Sequence, residues 1–153
     1  MIMASELAVR RVEIPAAVAD RPADRLQAMT SRLSNIAIDA TNPTVVAEFW
    51  CSVLGWTVLE EEEDGFCIGP ADGSWPGIDV WRGAERKTTK NRLHLDLRAD
   101  GVETPAELQR LLDLGATRVD VGQGPEVSWV VLADPEGNEF CLLSRTVQEV
   151  VGG

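Results

Sequence analysis

Residues 129–144 read WVVLADPEGNEFCLLS: two apolar runs, Trp129–Ala133 and Phe140–Leu143, on either side of Asp134-Pro135-Glu136-Gly137-Asn138. Asp134 can bond its own turn, Pro135 presets φ for the second turn position, and Gly137 tolerates φ > 0 at the exit. The pattern predicts a strand, a tight connection and a returning strand.

Working upstream, Leu93, Leu95 and Leu97 alternate with Arg92, His94, Asp96 and Arg98, which predicts a half-buried strand with the leucines toward the core. Thr104 then reads as the N-cap of a helix, with Pro105 next and Glu107 completing a capping box. Leu108, Leu111 and Leu112 form its apolar stripe, and Gly115 ends it. The same order occurs once before. Leu33, Ile36 and Ile38 suggest a strand; Asn42-Pro43 opens a helix striped by Val46, Phe49, Trp50, Val53 and Leu54; Gly55 closes it. Trp56–Glu62, Phe66–Gly69 and Ile78–Arg82 read as strands. Leu54-Gly55-Trp56-Thr57 matches Leu114-Gly115-Ala116-Thr117, and the step from Gly55 to Trp81 equals that from Gly115 to Cys141. The chain therefore reads as an α+β domain over residues 31–146. It is built from two βαβββ repeats, 33–82 and 91–144, that make a curved mixed sheet with helices outside. The charged segment Gly83–Lys90 links them. Residues 1–30 form an N-terminal extension open to packing on the domain or on a second subunit of a homodimer.

The hairpin Asp134–Cys141, the run Arg92–Leu97 and the doubled unit together resemble the vicinal-oxygen-chelate superfamily of glyoxalases, bleomycin-resistance proteins and dioxygenases, in its glyoxalase-like branch. The resemblance covers about residues 33–144. It implies a ligand cavity inside the cup formed by the two repeats. It also implies four metal-ligand positions, one on each first strand and one on each fourth strand, and these fall on Asn35, His94, Trp81 and Cys141. A catalytic divalent site uses about three ligands of His, Glu, Asp or Cys type. Asn and Trp at two of the four positions therefore predict no standard metal. If one binds, His94, Asp79 and Cys141 are its expected ligands, Asp79 sharing a strand face with Trp81.

Strand parity puts His94 and Asp96 on one face, where the carboxylate can orient the imidazole for proton transfer. They are the candidate catalytic pair, although alternating polar residues fit a solvated face as well. Cys141 beside His94 invites a thiolate reading and equally fits a small apolar core residue. Asn35, Asp39, Asp79, Trp81, Trp129 and Cys141 are candidate ligand-binding residues, the tryptophans suiting an apolar or aromatic guest. Two functions follow. One is a glyoxalase-like enzyme or binding protein acting on a small organic molecule, with lyase- or isomerase-type proton transfer if catalytic. The other is a non-catalytic protein that sequesters an antibiotic or toxin, as bleomycin-resistance proteins do.

Composition narrows the rest. The 153 residues carry a formal net charge of −11, which repels phosphate backbones and argues against nucleic acid as a partner. No run of about 18 apolar residues suggests a membrane span. Three cysteines at no zinc-finger spacing, and a start lacking the order of a secretory signal, suggest a cytoplasmic protein with reduced thiols.

Overall fold

The computed structural model describes residues 31–152 apart from Ala84 and Pro125; the extension expected over residues 1–30 lies outside the described residues. The first unit runs β1 (Asn35–Ala40), α1 (Pro43–Leu54), β2 (Thr57–Glu62), β3 (Gly65–Gly69) and β4 (Gly77–Arg82). The second runs β5 (Leu95–Leu97), α2 (Thr104–Asp113), β6 (Thr117–Arg118), β7 (Val130–Ala133) and β8 (Glu139–Leu142), followed by α3 (Val147–Val151). Each unit makes one four-stranded sheet, ordered β1-β4-β3-β2 and β5-β8-β7-β6. The first and fourth strands of each unit pair in parallel and the remaining pairs are antiparallel, so the α+β architecture holds. No helix among the described residues is long and apolar enough to cross a membrane.

The apolar stripes build the core. Val46, Phe49, Trp50 and Val53 of α1 are buried, and Gly55 at φ 66° closes the helix in the left-handed region a side chain would resist. Trp50 meets Phe49 edge-on at 5.4 Å and Phe140 of β8 at 5.2 Å, so aromatic packing joins the two units. Its indole Nε1–H donates to Asp134 Oδ2 at 3.3 Å. Asp134 is 2% exposed. It also accepts from the Glu136 and Asn138 backbone N–H groups at 3.0 and 2.9 Å and from Asn138 Nδ2 at 2.9 Å. The hairpin turn is thus made by a buried carboxylate that reaches across to the first unit.

Three local expectations are corrected. Asn42 stands at the N-cap of α1 but makes no side-chain cap bond. The carboxylate of Glu136 in the β7–β8 turn instead holds the N-cap residue and the one before it, accepting from Thr41 N at 2.7 Å, Asn42 N at 2.5 Å and Thr41 Oγ1 at 2.7 Å. An anion at the positive end of the helix is favoured there over a neutral amide. At α2 the cap position is Glu103, and Thr104 is already helical. Its hydroxyl donates to Ser144 O while Glu107 turns to Arg110, so the expected capping box is absent. A capping box does form at Thr146 and Glu149, opening α3, a helix too short to show an apolar stripe. Finally, Leu93 does not face the core: it is 73% exposed, because β5 begins only at Leu95.

Candidate functional site

The face of the second sheet opposite its helix carries one compact polar group. In β5 and β8, Asp96 pairs with Cys141, and Val131 of β7 lies on the other side of Cys141, so all three project from the same face. His94 precedes β5 by one residue and shares the parity of Asp96. Its Nδ1 lies 3.0 Å from Asp96 Oδ1. A carboxylate only accepts, so the contact places a proton on Nδ1, and in the neutral ring Nε2 then carries the free lone pair. Cys141 Sγ lies 4.0 Å from the same Nδ1. Burial first, and then the nearby Asp96 carboxylate, push the Cys141 thiol up to about 11. At neutral pH it is a thiol, and the thiolate reading loses its support.

A cavity of about 500 Å³ opens over this group. His94, Asp96 and Cys141 form its polar floor, and Trp129, Val131, Val121 and Leu143 give it apolar walls. A second cavity of about 430 Å³ lies between β1 and the approach to β5, lined by Ile36–Asp39 on one side and Asn91–Leu95 on the other. His94 and Glu139 line both.

Of the candidate residues, the structure gathers His94, Asp96, Trp129 and Cys141 in the first cavity, and places Asp39 in the second beside His94. Asn35, Asp79 and Trp81 stand apart, on the open face of the first sheet. Asn35 Nδ2 donates to Asp79 Oδ1 at 2.6 Å and faces Cys67 Sγ at 3.7 Å. Burial, then the Asp79 carboxylate, hold that thiol above its ordinary value. Trp81 lies over Gly65, where a Cβ would come within 2.6 Å of the indole ring. It therefore packs on its own sheet. Strand pairing also shifts the correspondence between the units. Ala37 faces Asp79 as Asp96 faces Cys141, so with Asn35 set against His94, Asp79 takes the place counted for Trp81.

Among the described residues, the donors a metal would find together lie in the second unit. One ligand atom each from His94, Asp96 and Cys141 lie within 4.8 Å of one another. Three donors of nitrogen, oxygen and sulfur type suit a borderline ion such as zinc with an open position. Asp79, expected in that set, is engaged with Asn35 instead. Glu139 was not singled out from the sequence. It lies two residues before Cys141 on the same strand, and that parity was the available signal.

Comparisons with known proteins agree with this architecture. A family model described as "Glyoxalase-like domain" matches residues 35–143. A glyoxalase/bleomycin resistance protein/dioxygenase family enzyme from Burkholderia phytofirmans PsJN is similar in structure, at TM-score 0.53 and 19% identity over 73% of this chain and 97% of that one. So is the fosfomycin resistance protein FosX of Listeria monocytogenes, in a mutant complexed with Mn(II) and 1S,2S-dihydroxypropylphosphonic acid, at TM-score 0.60 and 16% identity over 80% and 99% of the chains. Likeness at these identities establishes the fold alone. No curated protein matches the chain by sequence. The chain belongs to the glyoxalase-like family of the vicinal-oxygen-chelate superfamily.

Proposed function

We propose that this chain takes a small, largely apolar organic molecule into the cavity over His94 and acts on it by proton transfer through the imidazole. The observation that carries this reading is the His94–Asp96 contact on the floor of a cavity whose walls include Trp129, Val131, Val121 and Leu143, with Lys90, Gln123 and Glu139 as further polar lining. Asp96 holds Nδ1–H, which fixes the tautomer and orients Nε2 to take a proton from the ligand. Trp129 and Val131 offer a flat wall for the apolar part of the ligand, leaving its acidic C–H or O–H to meet Nε2. An acid–base isomerase or lyase needs such a base and a site that excludes competing water. Small-molecule ligands on the same fold, as in FosX, suit this class of function. A divalent ion held by His94, Asp96 and Cys141 would supply polarisation of a ligand oxygen.

The sequestering reading is favoured by a different observation. His94 and Asp96 keep 42% and 47% side-chain exposure, and Cys141 stays protonated, so the floor holds one base and no activated nucleophile. Binding of a panel of substituted phenols and aryl ketones, followed by tryptophan fluorescence, separates the outcomes. Trp129→Ala should weaken binding about tenfold. Solvent-deuterium exchange into a bound ketone that vanishes in His94→Ala supports catalysis, and binding without exchange supports sequestration. No binding by any member of the panel removes the proposal.

A further inference from the structure

Glu139 is the least expected charge in the second unit. It sits on the cavity face of β8, yet its side chain is only 10% exposed. Its Oε1 accepts from Lys87 Nζ at 2.8 Å and its Oε2 from the Asn91 backbone N–H at 2.9 Å. Lys87, at 19% exposure, is itself largely covered. Both donors belong to the segment between the two sheets, three to seven residues before His94 in the chain.

The parallel pairing of β5 with β8 ends at Leu95 and Phe140. One step further, where His94 would meet Glu139 in the ladder, the carboxylate replaces the strand bond by holding Asn91. The segment then runs between the two cavities: Lys87, Asn91, Arg92 and Leu93 line one, Lys90 lines the other, and His94 and Glu139 line both. A partly buried ion pair with a charge-assisted backbone bond is directional and costly to break from one side.

We infer that Glu139 is a positioning residue: through Lys87 and Asn91 it latches the inter-sheet segment, so that His94 stays seated on Asp96 and the two cavities stay separate. The latch limits the guest to what the cavity of about 500 Å³ over His94 accepts by itself. Its loss frees the segment, lets the imidazole turn away from Asp96 and joins the cavities. The ligand part of the inference rests on the cavity being a binding site; the seating of His94 does not.

The test uses the full chain and two readouts. The chain has one histidine, so its imidazole gives one set of NMR signals that report its seating directly. Affinity for a one-ring probe, 4-nitrophenol, and a two-ring probe, 2-naphthol, reports the space available. Lys87→Met and Glu139→Gln should shift the histidine signals and raise the affinity for 2-naphthol relative to 4-nitrophenol about tenfold. Lys87→Arg, which keeps the ion pair, should behave as the wild type. If Glu139→Gln fails to fold, Lys87→Met, at a position nearer the surface, decides alone. Folded variants with unmoved histidine signals and unchanged probe preference overturn the inference, leaving a bond that serves stability only. If the wild type binds neither probe, the proposed function rests on the rest of the panel, and the histidine signals alone decide the latch.

Discussion

Asp134→Ala is the sharpest test of how the hairpin turn holds the two units together. The carboxylate is 2% exposed and accepts four hydrogen bonds. Alanine removes all four acceptances. The turn N–H groups of Glu136 and Asn138 can recover water, so their loss is set at roughly 1 kcal/mol together. The Trp50 indole N–H is buried and cannot, and leaving such a donor unpaired costs about 1–3 kcal/mol. The expected loss is about 3 kcal/mol, or about 6–12 °C in melting temperature for a domain of this size. Asp134→Asn should cost nearly as much, because its amide NH₂ would face the donors of Trp50 and Asn138. Urea unfolding by far-UV circular dichroism gives the losses. A double-mutant cycle with Trp50→Phe should show a coupling of about 1 kcal/mol. A loss under about 1 kcal/mol for Asp134→Ala, or no coupling to Trp50, would refute the reasoning.

Two further outcomes follow from the geometry. Burial alone would raise the Glu136 carboxyl, but its bonds to Thr41 and Asn42 outweigh that and hold it below the ordinary 4.5. Its folded-state value is depressed, so its contribution is complete above 4.5 and fades as pH falls through the lower folded value. Glu136→Gln should therefore lower the urea midpoint at neutral pH, with the difference from wild type shrinking in acid; a difference that grows in acid contradicts that role. Cys141 should resist iodoacetamide at neutral pH and react only as pH nears about 11, measured by mass spectrometry, while Cys141→Ser keeps ligand affinity within about twofold.

Much of the fold was legible because its signals are local. Gly55, Gly115 and the Asp134–Asn138 turn mark boundaries that backbone stereochemistry enforces, and the strand–helix order repeats around them. What escaped was set by contacts distant in sequence. The hold on the α1 N-cap residue comes from Glu136, more than ninety residues away, so no reading of Asn42-Pro43 could supply it. Leu93 alternates perfectly with its neighbours yet is exposed, because the strand begins only at Leu95 and alternation does not mark that start. The same holds for the site. His94, Asp96 and Cys141 were readable from parity and repeat. The shift from Trp81 to Asp79 depends on the parallel register of β1 and β4, which periodicity does not encode.

The central claim is that Asp96 holds His94 by Nδ1–H and leaves Nε2 for the ligand. Long-range proton–nitrogen correlation on the one histidine measures it, free and with a bound phenol or ketone. With the imidazole neutral, the account predicts a protonated Nδ1, an unprotonated Nε2, and a shift confined largely to Nε2 when the ligand enters. A protonated Nε2 in the free protein, or signals that ignore a ligand seated against Trp129, would contradict it.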